Sequence, residues 1–200
     1  MKINKSKFIY LISPNKITTQ FYQDLRKVLK TGKVGIFQMR FKKYSLKKKI
    51  VNGEKIKQIC KKNRVKFLVN DDPVLAKKLN ADGCHLGQKD IDIIEARKII
   101  GNKIIGITCH NSIKFAKTAI KNKVDYLAFG AFFSTKTKKA KHKATTKILN
   151  KAKKLTKTPL VAIGGINSSN YKKLLLNNAN FLAISGYIWN NKKYKPLEAI

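Results

Sequence analysis

An alternation of short apolar runs with longer lysine-rich stretches constrains this chain more than any single residue does. The apolar runs are FIYLIS (8–13), VGIFQM (34–39), VKFLV (65–69), GCHLG (83–87), KIIGIT (103–108), DYLAFG (125–130), PLVAIGG (159–165) and FLAIS (181–185). Most are continuous rather than alternating, as strands buried on both faces require. The stretches between them carry helical spacing. In 18–30, Phe21, Leu25, Val28 and Leu29 fall on one stripe, and 73–80, 93–100, 113–122, 146–155 and 169–178 read the same way. Strand then helix, repeated roughly eight times with no linker, predicts a parallel α/β architecture. The expectation is a single (β/α)8 TIM barrel domain over residues 1–200, its active site at the C-terminal rim. An open doubly wound sheet is the structural alternative.

Charge tests that reading. The chain has 45 Lys+Arg against 10 Asp+Glu, a formal charge of +35, yet hydrophobic residues still make up 43%, enough for a core. Such a chain binds polyanions at low salt. Only four of the bases are Arg, however (Arg26, Arg40, Arg64 and Arg97), and Arg is the side chain that reads bases bidentately. The lysines are spread over the whole length, so no specific nucleic-acid partner is expected. No apolar run reaches 18 residues, which argues against a membrane partner. The start, MKINKSKFIYLISPNK, lacks a long h-region and reads as a first strand in a cytoplasmic protein. Cys60, Cys84 and Cys109 form no disulfide framework. The pairs Cys84-His85 and Cys109-His110 invite a zinc reading, but neighbours on a strand point to opposite faces, which argues against it.

The acids are more informative than the bases. Six of the ten carboxylates lie between 71 and 95: Asp71, Asp72, Asp82, Asp90, Asp92 and Glu95. Helix caps and surface pairs account for some; a divalent cation site would account for the rest. In a barrel, polar residues at C-terminal strand ends are the functional suspects. Here they are Gln38 to Lys42 after strand two, Asn70-Asp71 after strand three, and His85 to Asp90 after strand four. Thr108, the loop STKTK (134–138), Gly164-Gly165 and Ser185-Gly186 follow strands five to eight. Asp71 and Asp90 can share one Mg²⁺, a hard cation that takes one or two protein carboxylates together with phosphate oxygens. Arg40, Lys42 and Lys138 add positive charge, more than a monoester needs and suited to a diphosphate leaving group. Gly164-Gly165 and the Ser185-Gly186 backbone suit a monophosphate, with Thr135 and Thr137 sharing one side of an extended loop. Two anion sites are therefore expected, one near strands two to four and one near strands six to eight.

From about residue 8 to 188 the chain resembles the thiamine-phosphate synthase family, which also includes thiazole tautomerases. Gln38-Met39-Arg40-Phe41-Lys42 resembles the family's Q-L-R-x-K, and VNDDPVLAKKLNADGCHLGQKD its N-D…A-D-G-x-H-L-G-Q-x-D. IIGITCHN, FGAFFSTKTKKA and VAIGGIN resemble its remaining motifs. The resemblance implies that Gln38, Arg40, Lys42, Asn70, Thr108 and Lys138 hold an aminopyrimidine diphosphate, and that Asp71 and Asp90 bind Mg²⁺. Thr135, Thr137, Gly165, Ser185 and Gly186 would hold a thiazole phosphate. The implied reaction is departure of diphosphate from the pyrimidine methylene carbon and attack on that carbon by the thiazole nitrogen. Arg40, Lys42 and Lys138 would act by neutralising charge. The partners are then small-molecule substrates, and a homo-oligomer is compatible with the barrel. Thr108 stands where the family has Ser, Ala131 and Ser134 stand for prolines, and Gly186 stands where Ser is usual. The final helix reads as short or missing. Two rivals are a thiazole tautomerase, which would carry His where Ala131 follows Gly130, and an inactive basic barrel that binds nucleic acid.

Overall fold

The computed structural model describes residues 6–135 and 142–200. Among these, eight strands and eight helices alternate: β1 (Ile9–Ile12), α1 (Thr19–Lys30), β2 (Val34–Met39), α2 (Leu46–Lys62), β3 (Lys66–Asn70), α3 (Pro73–Lys78), β4 (Gly83–Leu86), α4 (Ile93–Ile100), β5 (Ile104–His110), α5 (Ile113–Lys121), β6 (Tyr126–Gly130), α6 (Thr146–Leu155), β7 (Leu160–Ile163), α7 (Tyr171–Leu176), β8 (Phe181–Ile184) and α8 (Gly186–Trp189). Strands neighbouring in sequence pair in parallel, and β1 pairs with β8, so the sheet closes into the expected barrel rather than an open sheet.

Local chemistry places most helices. Thr18, Ser45, Asp72, Asp92 and Ser112 each accept a backbone N–H at a helix start, satisfying donors the helix itself leaves over. The stripe Phe21, Leu25, Val28 and Leu29 is buried as its spacing requires. Helix α2 is the one the spacing did not single out. Lysines at 47–49, 55, 57, 61 and 62 dilute its pattern, and its buried face narrows to Gly53, Ile56, Ile59 and Cys60. Strand β7 ends at Ile163, short of the apolar run, because Gly164 (φ +104°) and Gly165 (φ +64°) turn the chain away. The last helix, α8, has four residues. Its last residue, Trp189, donates from Nε1 to the Ile12 carbonyl at 2.7 Å and packs on Phe21.

Two apolar layers result. One fills the space between strands and helices. The other plugs the barrel, with Tyr10, Ile36, Leu68, Tyr126, Val161 and Phe181 among its members. Cys84 and Cys109 face the helix layer, whereas His85 faces the axis, as neighbours on a strand must. Among the described residues no helix is long and apolar enough to cross a membrane.

Candidate active site

The period of two along each strand builds a polar ring above the plug. Gln38 follows Ile36 by two residues and Asn70 follows Leu68 by two, so both continue inward-facing rows. On β4 and β5 the rows end in His85 and Thr108, joined by a hydrogen bond of 2.8 Å between His85 Nε2 and Thr108 Oγ1. Gln38 is 2% exposed, and its Nε2 is the only buried side-chain polar atom among the described residues without a hydrogen-bond partner. A buried amide donor left unsatisfied costs free energy, so its presence at a strand end marks a place for a ligand acceptor.

Of the six clustered acids, four have structural duties. Asp72 caps α3 and Asp92 caps α4, Asp82 holds the Phe67 N–H and pairs with Lys66, and Glu95 pairs with Lys98. Asp71 and Asp90 remain; Asp90 also accepts the Gly87 N–H, and the two carboxyls lie close enough that each shifts the other's titration. Asp71 has φ +65° and donates its N–H to the His85 carbonyl at 2.7 Å, while Lys42 stands 2.9 Å from its carboxylate. Burial pushes the Asp71 pKa up, but the hydrogen bonds and charge of Lys42 and the contact with Asp90 outweigh it, and the group lies below its ordinary value. Burial lifts Asp90, the Gly87 N–H opposes it, and the neighbouring Asp71 lifts it further, so it lies above its ordinary value. Two carboxyls pressed together share a proton or a cation. Their hard oxygen donors fit a single Mg²⁺. Arg40 is held on the same rim by its N–H to Ser13 Oγ at 2.9 Å.

On the far side of the rim, Gly164 and Gly165 pack against the loop that follows β6. A Cβ at Gly164 would stand 2.4 Å from that of Ala131, and one at Gly165 would stand 2.3 Å from the Ser134 carbonyl oxygen. Both glycines are thus demanded by loop packing as well as by any close approach of phosphate. Ser185 donates from Oγ to the Ser13 carbonyl at 3.2 Å, and Gly186 opens α8. Thr135 is half-buried at the loop's start, whereas Thr137 and Lys138 lie outside the described residues.

Every described candidate therefore lies at or just beyond a C-terminal strand end. A cavity of about 480 Å³ lined by Lys42, Asn70, Asp71 and Ile91 opens beside the acidic pair. A larger one, about 550 Å³, lies at the opposite end of the barrel, among Lys7, Lys66, Asp82 and Lys103. Two of its lysines are already engaged, Lys66 with Asp82 and Lys103 with Asn80 and Ala81. In this fold that end serves stability, whereas the smaller cavity opens on the C-terminal rim. Sequence reasoning assigned no role to His85, Tyr10 or Tyr126, which meet inside the barrel. The available signal was the hydroxyl-bearing ring of each tyrosine within an otherwise apolar strand.

The family model described as thiamine monophosphate synthase matches residues 9–188. A thiamine-phosphate synthase of Pelagibacter ubique is 68% identical over 200 residues, covering 100% of this chain and 96% of its own length. One from Erythrobacter litoralis is 39% identical over 196 residues, covering 96% and 92%. A solved thiamine phosphate pyrophosphorylase from Pyrococcus furiosus superposes with a TM-score of 0.85 at 28% identity, covering 98% of this chain and 93% of that one. The chain belongs to the thiamine monophosphate synthase family, and it is a transferase of thiamine biosynthesis acting on small molecules.

Proposed function

We propose that, within this activity, the chain condenses an aminopyrimidine diphosphate with a thiazole phosphate to give thiamine phosphate and diphosphate, with one Mg²⁺ per subunit. The observation that carries the reading is the placement of Asp71 and Asp90, two carboxyls near enough to shift each other's titration, beside Lys42 at the strand ends. Mg²⁺ held by these two carboxylates would supply the charge that neutralises the leaving diphosphate. Arg40, Lys42 and Lys138 act toward the same phosphates, Lys42 by exchanging its carboxylate partner for phosphate oxygen. Gln38 offers its buried Nε2–H to an acceptor on the pyrimidine, and Asn70 and Thr108, which end inward-facing rows on β3 and β5, act toward the same substrate. The C–O bond breaks with its electron pair leaving on diphosphate, and the thiazole nitrogen supplies the pair for the new C–N bond. No proton has to be removed for either step, so the site works by charge and positioning. Thr135, Thr137, Gly165, Ser185 and Gly186 orient the thiazole phosphate. We place the protein in the cytoplasm, a reading supported by three buried, unbridged cysteines.

The test combines purified protein, Mg²⁺, aminopyrimidine diphosphate and thiazole phosphate, and measures thiamine phosphate and released diphosphate in equal amounts. Product formation that persists unchanged after chelation of divalent cations would overturn the metal assignment.

A further inference from the structure

A chain of four buried or half-buried side chains crosses the barrel beneath the proposed pyrimidine pocket. Tyr10 Oη lies 2.8 Å from Tyr126 Oη, Tyr126 Oη lies 2.8 Å from His85 Nδ1, and His85 Nε2 lies 2.8 Å from Thr108 Oγ1. Strand register makes the meeting possible. His85 is paired with Gly106, and Gly106 with Tyr126, so β5 separates the two rings. A Cβ at Gly106 would stand 1.8 Å from Tyr126 Cζ, and in its absence the two rings stack at 5.7 Å with planes 12° apart.

The protons in this chain can run only one way without a penalty. A neutral imidazole has one donor and one acceptor. If His85 Nδ1 carried the proton, Tyr126 would accept it and donate to Tyr10, and the Tyr10 O–H would point into the apolar plug. Among the described residues Tyr10 has no other polar partner, and it is 2% exposed. A doubly protonated ring would create the same orphan. Run in the opposite sense, Tyr10 donates to Tyr126, Tyr126 to His85 Nδ1, and His85 Nε2–H to Thr108. Every buried proton is then used.

We infer that Tyr10, Tyr126 and His85 form a directional relay of positioning residues that fixes Thr108 as a hydrogen-bond donor into the pocket, aimed at an acceptor atom of the diphosphate substrate. With its lone pair engaged by His85, Thr108 has its own proton left for the ligand. The backbone there is pinned as well, since Gln88 Nε2 donates to the Thr108 carbonyl at 2.6 Å. The ligand half of the inference rests on the proposed function; the direction of the relay does not.

Two measurements test it. Long-range ¹H–¹⁵N correlation spectra of the substrate-free protein, with His85 assigned through His85→Gln, should show His85 protonated on Nε2 alone. Its Nδ1 resonance should move when Tyr126→Phe removes the donor. A proton on Nδ1, or on both nitrogens, overturns the relay. The second measurement is a double-mutant cycle on kcat/KM for the aminopyrimidine diphosphate. Tyr126→Phe should cost about tenfold in the parent and next to nothing in a Thr108→Val background, with KM for the thiazole phosphate unchanged in both. Equal losses in the two backgrounds would show a merely structural role and overturn the inference. If Tyr126→Phe does not fold, His85→Leu replaces it in the cycle, and the spectra of the unmodified protein still decide which nitrogen carries the proton. An unmodified protein that forms no thiamine phosphate would sink the proposed reaction, while the spectra would still decide the relay.

Discussion

Acidification should unfold this protein partly through one histidine. His85 is buried, and burial lowers its pKa from 6.5 to about 4, with the nearby Asp71 charge pulling the other way. Between those two values the unfolded chain binds a proton that the folded chain refuses. Stability contributed by this site is therefore present above about pH 6.5 and lost as pH falls toward 4. From pH 7 to pH 5 the two titration curves diverge by about 2 kcal/mol. That is a large share of the 5–15 kcal/mol typical of a folded domain, roughly speaking. The assay is urea unfolding at both pH values, followed by the fluorescence of the single tryptophan, Trp189, which packs on Phe21. His85→Gln is the reference, because it keeps a polar side chain that does not titrate in this range. The unmodified protein should lose about 2 kcal/mol more than His85→Gln between pH 7 and pH 5, since the other titrating groups are common to both. Parallel losses in the two proteins would refute the reasoning.

Replacing Gln38 by Met removes an unsatisfied buried donor, so the midpoint of urea unfolding should rise by the equivalent of about 1–3 kcal/mol while calorimetric affinity for the aminopyrimidine diphosphate falls. Asp71→Asn and Asp90→Asn should each lower kcat by on the order of 10² or more with near-native circular dichroism. Mg²⁺ affinity of the unmodified protein, read by calorimetry, should weaken as pH falls, because Asp90, raised by burial and by Asp71, must first lose its proton. In the loop after β6, changing Lys136, Lys139, Lys141 and Lys143 together to Gln should leave most of kcat/KM at physiological ionic strength. Lys138→Gln alone should cost at least about tenfold; the reverse ranking would make the loop a diffuse electrostatic funnel.

The barrel was legible in the chain because its signals are local. Continuous apolar runs and helical stripes such as Phe21 to Leu29 depend on neighbours within a few positions. The rim residues could be named for the same reason, since a polar residue after an apolar run marks a strand end whatever the strand pairs with. Helix α2 escaped because its lysines spoil the stripe while the closed barrel still buries Ile56 and Ile59. Strand ends singled out Asp71 and Asp90 among the acids, but the duties of the others were not legible. Asp72, Asp82 and Asp92 have the same chemistry as Asp71 and Asp90, and only folding shows which backbone donors each satisfies and that Lys42 pairs with Asp71. The relay was further still from view. Tyr10 and Tyr126 are 116 positions apart, and His85 is 41 from Tyr126. Their meeting depends on closure, on the register across Gly106, and on that glycine's missing side chain. No periodicity encodes a contact of that range, because it arises from the sum of many strand pairings rather than from any one segment.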